Sequence, residues 1–168
     1  MVKFNKTNLE EVILIEHDEF KDHRGKFIET FNQNLYKKLL PKNFKFLQDD
    51  FSYSKKNVLR GFHGEKKIYK IVSCIKGKIQ LVIFCNKSNH KDYLSYFKII
   101  LSGNDNLQVF VPPMYGIGHQ VKSSSAIFHY KQTGYYNPKT QFTFSWRDKR
   151  LNIKWGKSKP ILSKRDNF

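Results

Sequence analysis

Two residues with the chemistry of a general base and a general acid lie in apolar segments of the sequence. His63 ends the segment 58–63, and Tyr130 ends the segment 126–130. A histidine titrates near neutrality and a phenol can donate a proton, so these residue types are suited to moving protons on and off carbon. A single histidine or tyrosine in an apolar strand is, however, more often a structural residue. Residue type alone leaves both interpretations open.

A charged segment near the start of the sequence has residue types that could bind a nucleotide. It is a turn running into a strand, Asp22-His23-Arg24-Gly25-Lys26-Phe27-Ile28-Glu29. In an extended strand Phe27 and Glu29 lie on one face, where a ring could stack on a base and a carboxylate could accept from its N–H. Arg24 could hold a phosphate. The simpler alternative is a half-buried edge strand with a surface ion pair.

The elements that must position these residues are mostly short strands. Segments rich in β-branched and aromatic residues are 68–75, 79–84, 96–101, 107–111, 126–130 and 142–146. They are separated by turn sequences such as Lys76-Gly77 and Asn137-Pro138. One short helix is predicted from about Asn34 to Leu40, closed by Pro41. This pattern predicts a single all-β domain over residues 1–168, a jelly-roll (cupin) barrel with one or two short helices.

The composition limits the classes of partner. The net charge is +17, but only five basic residues are arginine and the lysines are scattered. This favours a solvated surface over a nucleic-acid site, and the alternative is a preference for a di-anionic ligand such as a sugar nucleotide. The sequence has no apolar run long enough for a membrane span or a signal peptide. Cys74 and Cys85 are read as buried thiols, so we expect a cytoplasmic protein.

In their order along the chain, several motifs resemble those of the dTDP-4-dehydrorhamnose 3,5-epimerase family, whose fold is a jelly-roll cupin. The resemblance runs from Asp-x-Arg-Gly-x-Phe-x-Glu at 22–29 to Leu-Ser-Lys-Arg-Asp at 162–166, nearly the whole chain. The motifs between them are Phe46-Leu47-Gln48-Asp49, Val58 to His63, Lys70-Ile71-Val72, Val111-Pro112-Pro113, Tyr130-Lys131, Tyr135-Tyr136-Asn137-Pro138 and Trp146-x-Asp148.

The resemblance implies an isomerase that epimerises a nucleotide-linked 4-keto sugar at C3, C5 or both. By similarity His63 is the base, Asp166 its partner, Tyr130 the acid on the opposite face, and Lys70 the positive charge near the C4 oxygen. The substrate-binding residues implied in the same way are Arg24, Phe27, Glu29, Gln48, Arg60 and Tyr136. The family's chemistry uses no metal or other cofactor, and the resemblance implies a homodimer whose only ligand partner is the sugar nucleotide.

Three departures from the family pattern lie around the sugar and the base. Asp50 stands at the place of an asparagine, and Leu81 at the place of an aspartate. Ile117 occupies the usual histidine position, and His119 follows two residues later. A two-residue shift along a strand returns to the same face, so His119 is expected to take over part of that histidine's role in binding substrate.

These departures admit substrates other than a dTDP-linked 6-deoxyhexose. An extra carboxylate at Asp50 suits guanine, which offers an N–H beside an amino group, better than thymine. The sequence therefore favours a GDP-linked 4-keto sugar, such as a heptose for capsule or lipopolysaccharide, with the dTDP sugar of the rhamnose pathway as the alternative. Inversion at C3 alone is also admitted.

Other cupin functions compete with the epimerase. Gly116-x-x-His119 and His63-x-Glu65 could supply ligands in a metal-binding cupin, either an oxygenase or a ketoisomerase. Such cupins normally carry His-x-His in the first motif, whereas this chain has His63-Gly64-Glu65. A sugar-binding cupin without activity would have no need of an acid and a base. The sequence therefore favours the epimerase.

Overall fold

Strands form two facing antiparallel sheets in the computed structural model, which describes residues 2–156 and 158–168. In spatial order, the first sheet contains β1 (Val2–Lys6), β2 (Ile13–His17), β10 (Leu107–Val111), β7 (Lys70–Lys76), β12 (Ser125–Gln132) and β5 (Gln48–Lys55). The second sheet contains β13 (Gln141–Thr143), β6 (Leu59–Glu65), β11 (Tyr115–Val121), β8 (Lys78–Cys85) and β9 (Tyr96–Ser102). A separate hairpin pairs β3 (Phe20–Asp22) with β4 (Gly25–Phe27).

The main core fills the space between the two sheets. Side chains at alternate positions of each strand meet there, including Val72 and Val109 from the first sheet and Leu81 and Ile83 from the second. Leu81 is fully buried in this core. An ionised aspartate at that position would need a buried partner, so the apolar residue fits its surroundings. The predicted all-β jelly roll is confirmed.

The outer faces of both sheets are also covered in part. Phe62 of β6 and Phe84 of β8 point away from the main core and pack with Trp155 of the C-terminal segment. The first sheet is covered by a helix, α1 (Gln33–Tyr36), which continues as a 3-10 turn at Lys37–Leu39. This matches the short helix predicted before Pro41. No helix among the described residues is both long and apolar enough to span a membrane.

Strand bounds agree with the sequence prediction in the core and differ at the edges. The segment predicted at 142–146 forms a strand only over Gln141–Thr143, and the segment predicted from residue 68 begins at Lys70. The strand expected to carry both Phe27 and Glu29 ends at Phe27. Glu29 therefore lies outside the strand and does not share a strand face with Phe27, which corrects the prediction.

Candidate active site

A cavity of about 220 Å³ opens between the two sheets. Six of the residues selected from the sequence line it: Arg60, His63, Lys70, His119, Tyr130 and Tyr136. They come from both sheets, since β6 and β11 form one wall while β7 and β12 form the other. The cavity thus collects charged and aromatic side chains that lie far apart in the sequence.

His63, which lines this cavity, pairs with the buried Asp166. Nε2 of His63 lies 2.7 Å from Oδ1 of Asp166, whose side chain is only 4% exposed. The carboxylate sits on a short 3-10 turn, where the hydroxyl of Ser163 donates to its Oδ2 over 2.9 Å. Burial raises the pKa of Asp166, but hydrogen bonding and charge from His63 outweigh it, so the pKa lies below its usual value. The aspartate is therefore ionised and faces the imidazole.

Arg60 and His63 reach the same cavity although they are three residues apart in one strand. Regular alternation would put them on opposite faces. The pairing of β6 with β11 shifts register between Ile117 and His119, next to Gly61. Gly61 has φ of +109°, and a Cβ there would lie 2.5 Å from the carbonyl oxygen of Ile117. Glycine at this position therefore permits the irregularity that brings the two side chains together.

Tyr130 of the opposite wall is bonded to Asp50. The two residues are cross-strand partners in β12 and β5, and the phenol donates to the carboxylate. Burial and this neighbouring carboxylate raise the pKa of Tyr130 to about 12, so the phenol is protonated at neutral pH. Gln48 also donates to Asp50, over 2.6 Å, and accepts from the backbone N–H of Tyr136. Asp50 and Gln48 thus orient the wall that carries Tyr130.

Lys70 lies beside Tyr130 in this wall. Its ammonium is 4.7 Å from the centre of the Tyr130 ring. Burial lowers the pKa of Lys70, while the charges of Glu65 and Asp50 raise it. The site therefore holds a largely buried ammonium group with two carboxylates close to it.

His119 faces the cavity as a neutral ring. Its side chain stacks on Phe128, with ring centroids 4.2 Å apart, and the residue is 3% exposed. Burial and the neighbouring charge of Arg60 lower its pKa to about 3. Nε2 is enclosed and has no hydrogen-bond partner among the described residues. Ile117 lines the same cavity, as the two-residue spacing predicts.

Five of the predicted substrate-binding residues do not line this cavity: Gln48 and Asp50, which support its wall from behind Tyr130, and three residues near the start of the chain. Arg24 and Phe27 lie on the β3–β4 hairpin and line a separate surface pocket. Phe27 is 69% exposed, and Arg24 makes an ion pair with Asp22 over 2.5 Å. Glu29 is exposed just beyond the hairpin. Within one chain, the structure does not bring these residues to His63, which corrects the simple one-chain site.

The cavity also contains residues that sequence reasoning did not select. Arg165, next to Asp166 in the tail motif, lines it together with Gln141, and the two side chains are joined by a 2.6 Å hydrogen bond. In the sequence, these residues could have been selected because they lie close to motifs that match the family. Glu65, a ligand in the metal-cupin alternative, instead accepts from Gln141 over 2.6 Å. No cluster of three potential metal-ligating side chains of the His, Cys, Asp and Glu types occurs in the described part of the chain.

Known proteins of one family match this chain along nearly its whole length. The sequence profile of the dTDP-4-dehydrorhamnose 3,5-epimerase family matches residues 6–168. The Escherichia coli K12 protein of that name is 34% identical over 165 residues, covering 96% of this chain and 89% of the relative. A Streptomyces niveus protein named dTDP-4-dehydrorhamnose 3-epimerase is 25% identical over 151 residues, covering 86% and 72%.

Solved structures are similar over the same extent. A Legionella pneumophila dTDP-6-deoxy-D-glucose-3,5-epimerase, crystallised in complex with dTDP-4-keto-L-rhamnose, superposes with a TM-score of 0.92. It is 32% identical, and the match covers 99% of this chain and 90% of that chain. Both the sequence and the fold therefore match along nearly the full length.

Proposed function

The chain belongs to the dTDP-4-dehydrorhamnose 3,5-epimerase family and is an isomerase of the epimerase class, and on this premise we propose that it inverts C3 and C5 of a thymidine-diphosphate-linked 4-keto-6-deoxy sugar. The observation that carries the proposal is the cavity where the His63–Asp166 pair faces Lys70 and Tyr130. The C4 ketone acidifies the protons on C3 and C5. Inversion then needs a base, an acid and a group that stabilises the enolate.

His63 is the base in this proposal. Asp166 holds the Nε2–H, which leaves the lone pair of Nδ1 to take the proton from carbon. Nδ1 is enclosed and has no hydrogen-bond partner among the described residues, so its lone pair is not engaged within the chain. The C–H electron pair moves into the enolate, and the imidazolium that forms is stabilised by the ionised carboxylate.

Tyr130 and Lys70 complete the reaction from the opposite wall. Lys70 donates to the C4 oxygen, where the negative charge of the enolate develops. Tyr130, protonated at neutral pH, gives its proton to the carbon from the face opposite His63, and the carbon centre is thereby inverted. The neighbouring Asp50 helps to keep the phenol protonated until it gives this proton up.

The remaining cavity residues bind the substrate in this proposal. Arg60 and Arg165 both line the cavity and can hold the diphosphate, and Arg60 is oriented by a 3.1 Å bond from its Nε to Ser54. His119 is a neutral partner for a sugar hydroxyl, because its Nε2 is otherwise unpaired. Tyr136 covers the entrance and is held through its backbone by Gln48.

The nucleotide contacts are completed by a second copy of the chain. Arg24, Phe27 and Glu29 lie outside the cavity of their own chain, so they can serve a cavity only if a partner's hairpin brings them there. Exposed aromatic side chains on the first sheet, Phe51 and Tyr53, offer an apolar surface for such a homodimer. The pairing would bury both this surface and the exposed hairpin.

Thymidine is preferred to guanosine in this proposal. The case for guanine rested on a free carboxylate at Asp50, but that carboxylate accepts from Tyr130 and Gln48. The apolar cavity residues Ile117 and Phe128 suit the methyl group of a 6-deoxy sugar better than the hydroxylated side chain of a heptose. The product would be a cytoplasmic precursor for surface polysaccharide.

Proton NMR in deuterated water tests the proposal. The wild type should exchange the C3 and C5 protons of dTDP-4-keto-6-deoxyglucose, while a GDP-linked 4-keto heptose should be unchanged. Loss of the C3 signal alone would assign a 3-epimerase, the activity named for the Streptomyces niveus relative. The matched variant His63→Asn has a side chain shaped like the part of histidine nearest the backbone, but it cannot act as a base. Exchange at both carbons should therefore fall by roughly 10²-fold or more. Near-normal exchange by folded His63→Asn would refute the assignment of the base.

A further inference from the structure

Glu65 is a buried carboxylate that the proposed reaction does not use directly. It lies at the end of β6, two residues beyond His63, and its side chain is only 1% exposed. Oε1 accepts from Gln141 over 2.6 Å, and Oε2 accepts from Thr140 over 3.3 Å. Both oxygens are thus satisfied by uncharged donors.

The cation paired with this carboxylate is Lys70. Its Nζ lies 4.0 Å from Oε1 of Glu65, which is too long for a hydrogen bond but close enough for strong charge attraction in a buried site. At this distance Glu65 uses none of the N–H groups of Lys70, and they remain able to point at a ligand in the cavity.

Lys70 is otherwise in an environment that disfavours its charge. Burial lowers its pKa, and the groups facing it from the packed strands are Asp50 of β5, Glu65 of β6 and Tyr130 of β12. Asp50 already accepts from Tyr130 and Gln48. Glu65 is the carboxylate in this set with the larger stabilising effect on the Lys70 charge.

We infer that Glu65 is a positioning residue that keeps the Lys70 ammonium charged beside the C4 oxygen while leaving its hydrogen-bond donors free. The inference rests on the proposed function, which assigns Lys70 to the C4 oxygen of the substrate. A direct Glu65–Lys70 hydrogen bond would hold the charge equally well but would use a donor that the enolate needs. At the observed 4.0 Å separation that bond is not made.

The variant Glu65→Gln tests this role, because it removes the charge while it keeps the shape and the acceptor for Gln141, and the new amide can donate to the Thr140 hydroxyl. The pKa of Lys70 should fall, so the alkaline limb of the kcat/KM profile for solvent exchange should move to lower pH by about one unit. The expected loss is roughly tenfold on the alkaline side of the limb, with little change at pH values well below it. Measuring exchange in a Tyr130→Phe background excludes titration of the phenol as the cause.

Glu11→Gln is the matched control, since Glu11 pairs with Lys87 outside the cavity. Its profile should match the wild type. An unmoved limb in Glu65→Gln, or the same movement in Glu11→Gln, overturns the inference whatever the absolute rates are.

NMR titration of the Lys70 ε-carbon in labelled protein gives a readout that does not depend on the substrate. A lowered pKa in Glu65→Gln supports the role of Glu65, and an unchanged pKa overturns it, even if the wild type exchanges none of the candidate sugars and the proposed function fails. If Glu65→Gln does not fold, Glu65→Asp decides by the same titration. The shorter aspartate side chain holds its charge farther from Lys70, so the pKa of Lys70 should fall by a smaller amount than in Glu65→Gln. An unchanged pKa overturns the inference.

Discussion

Replacing His119 with phenylalanine should remove an acid-dependent loss of stability from the protein. The His119 ring is buried against Phe128, and its Nε2 lacks a partner among the described residues. Burial and the charge of Arg60 lower its pKa from 6.5 to about 3. The folded protein therefore keeps this ring neutral over a pH range in which the unfolded chain protonates it.

The sign and the magnitude follow from proton linkage. Below pH 6.5 the unfolded state takes up a proton that the folded state refuses until about pH 3, so stability is full above 6.5 and falls as the pH is lowered. Each pH unit within this range costs about 1.4 kcal/mol. Between pH 6.5 and 5.0 the loss due to His119 is therefore about 2 kcal/mol. The carboxylates with lowered pKa values, Glu11 and Asp166 among them, titrate below this window.

Urea unfolding followed by tryptophan fluorescence at pH 6.5 and 5.0 measures the effect. His119→Phe should keep the stacking on Phe128 and lose most of the 2 kcal/mol acid dependence. At neutral pH it should be at least as stable as the wild type, because an unpaired buried nitrogen has been removed. The exposed His23 supplies the control, and His23→Gln should retain the wild-type dependence. An identical pH dependence in His119→Phe and the wild type would refute the reasoning.

Three further outcomes are expected. Tyr130→Phe should still wash deuterium into the substrate, while inverted product measured by NMR falls by roughly 10²-fold or more; unchanged product formation would mean that another group supplies the proton. Asp166→Asn should lower kcat by about 10²–10⁴-fold with an unchanged circular dichroism spectrum, because the imidazole loses its charged partner; a rate equal to the wild type would rule that role out. Phe62→Ala should lower the free energy of unfolding by about 3–5 kcal/mol in urea titrations, because Phe62 is fully buried against Phe84 and Trp155. A loss below about 1 kcal/mol would contradict the packing described.

Burial alone did not decide which strands were predicted from the sequence, because the half-exposed β9 was among the predicted segments and the buried β11 was not. β8 was recognised from its continuous apolar run, because one face enters the main core and the other packs under the C-terminal segment. β5 was not recognised, because its pattern is inverted. Asp50, Ser52 and Ser54 face inward towards the cavity and its arginine, whereas Phe51 and Tyr53 are exposed. The inner face of β5 borders the cavity and not the apolar core. It therefore carries polar residues, and the usual rule that inward positions are apolar fails for this strand.

The candidate site was predictable in part. The meeting of His63 with Asp166 followed from the family resemblance alone, since no periodicity links residues so distant in sequence. The interpretation of Asp50 as a base-reading group missed its bond to Tyr130, because cross-strand register cannot be read from one strand. Glu65 carried no signal of its role, because its partner Lys70 reaches it only across two sheets.

The proposed base and the proposed acid lie on different sheets, His63 on the second and Tyr130 on the first. The gap between them is therefore set by the thickness of the sandwich, which is fixed by the volume of side chains such as Leu81 and Val109 that keep the sheets apart. Core residues act here as spacers for the chemistry. Exchanging one of them for a larger or smaller side chain would change the distance between His63 and Tyr130 as well as the packing. Sugars of different size could therefore be accommodated by substitutions at positions that do not contact the ligand.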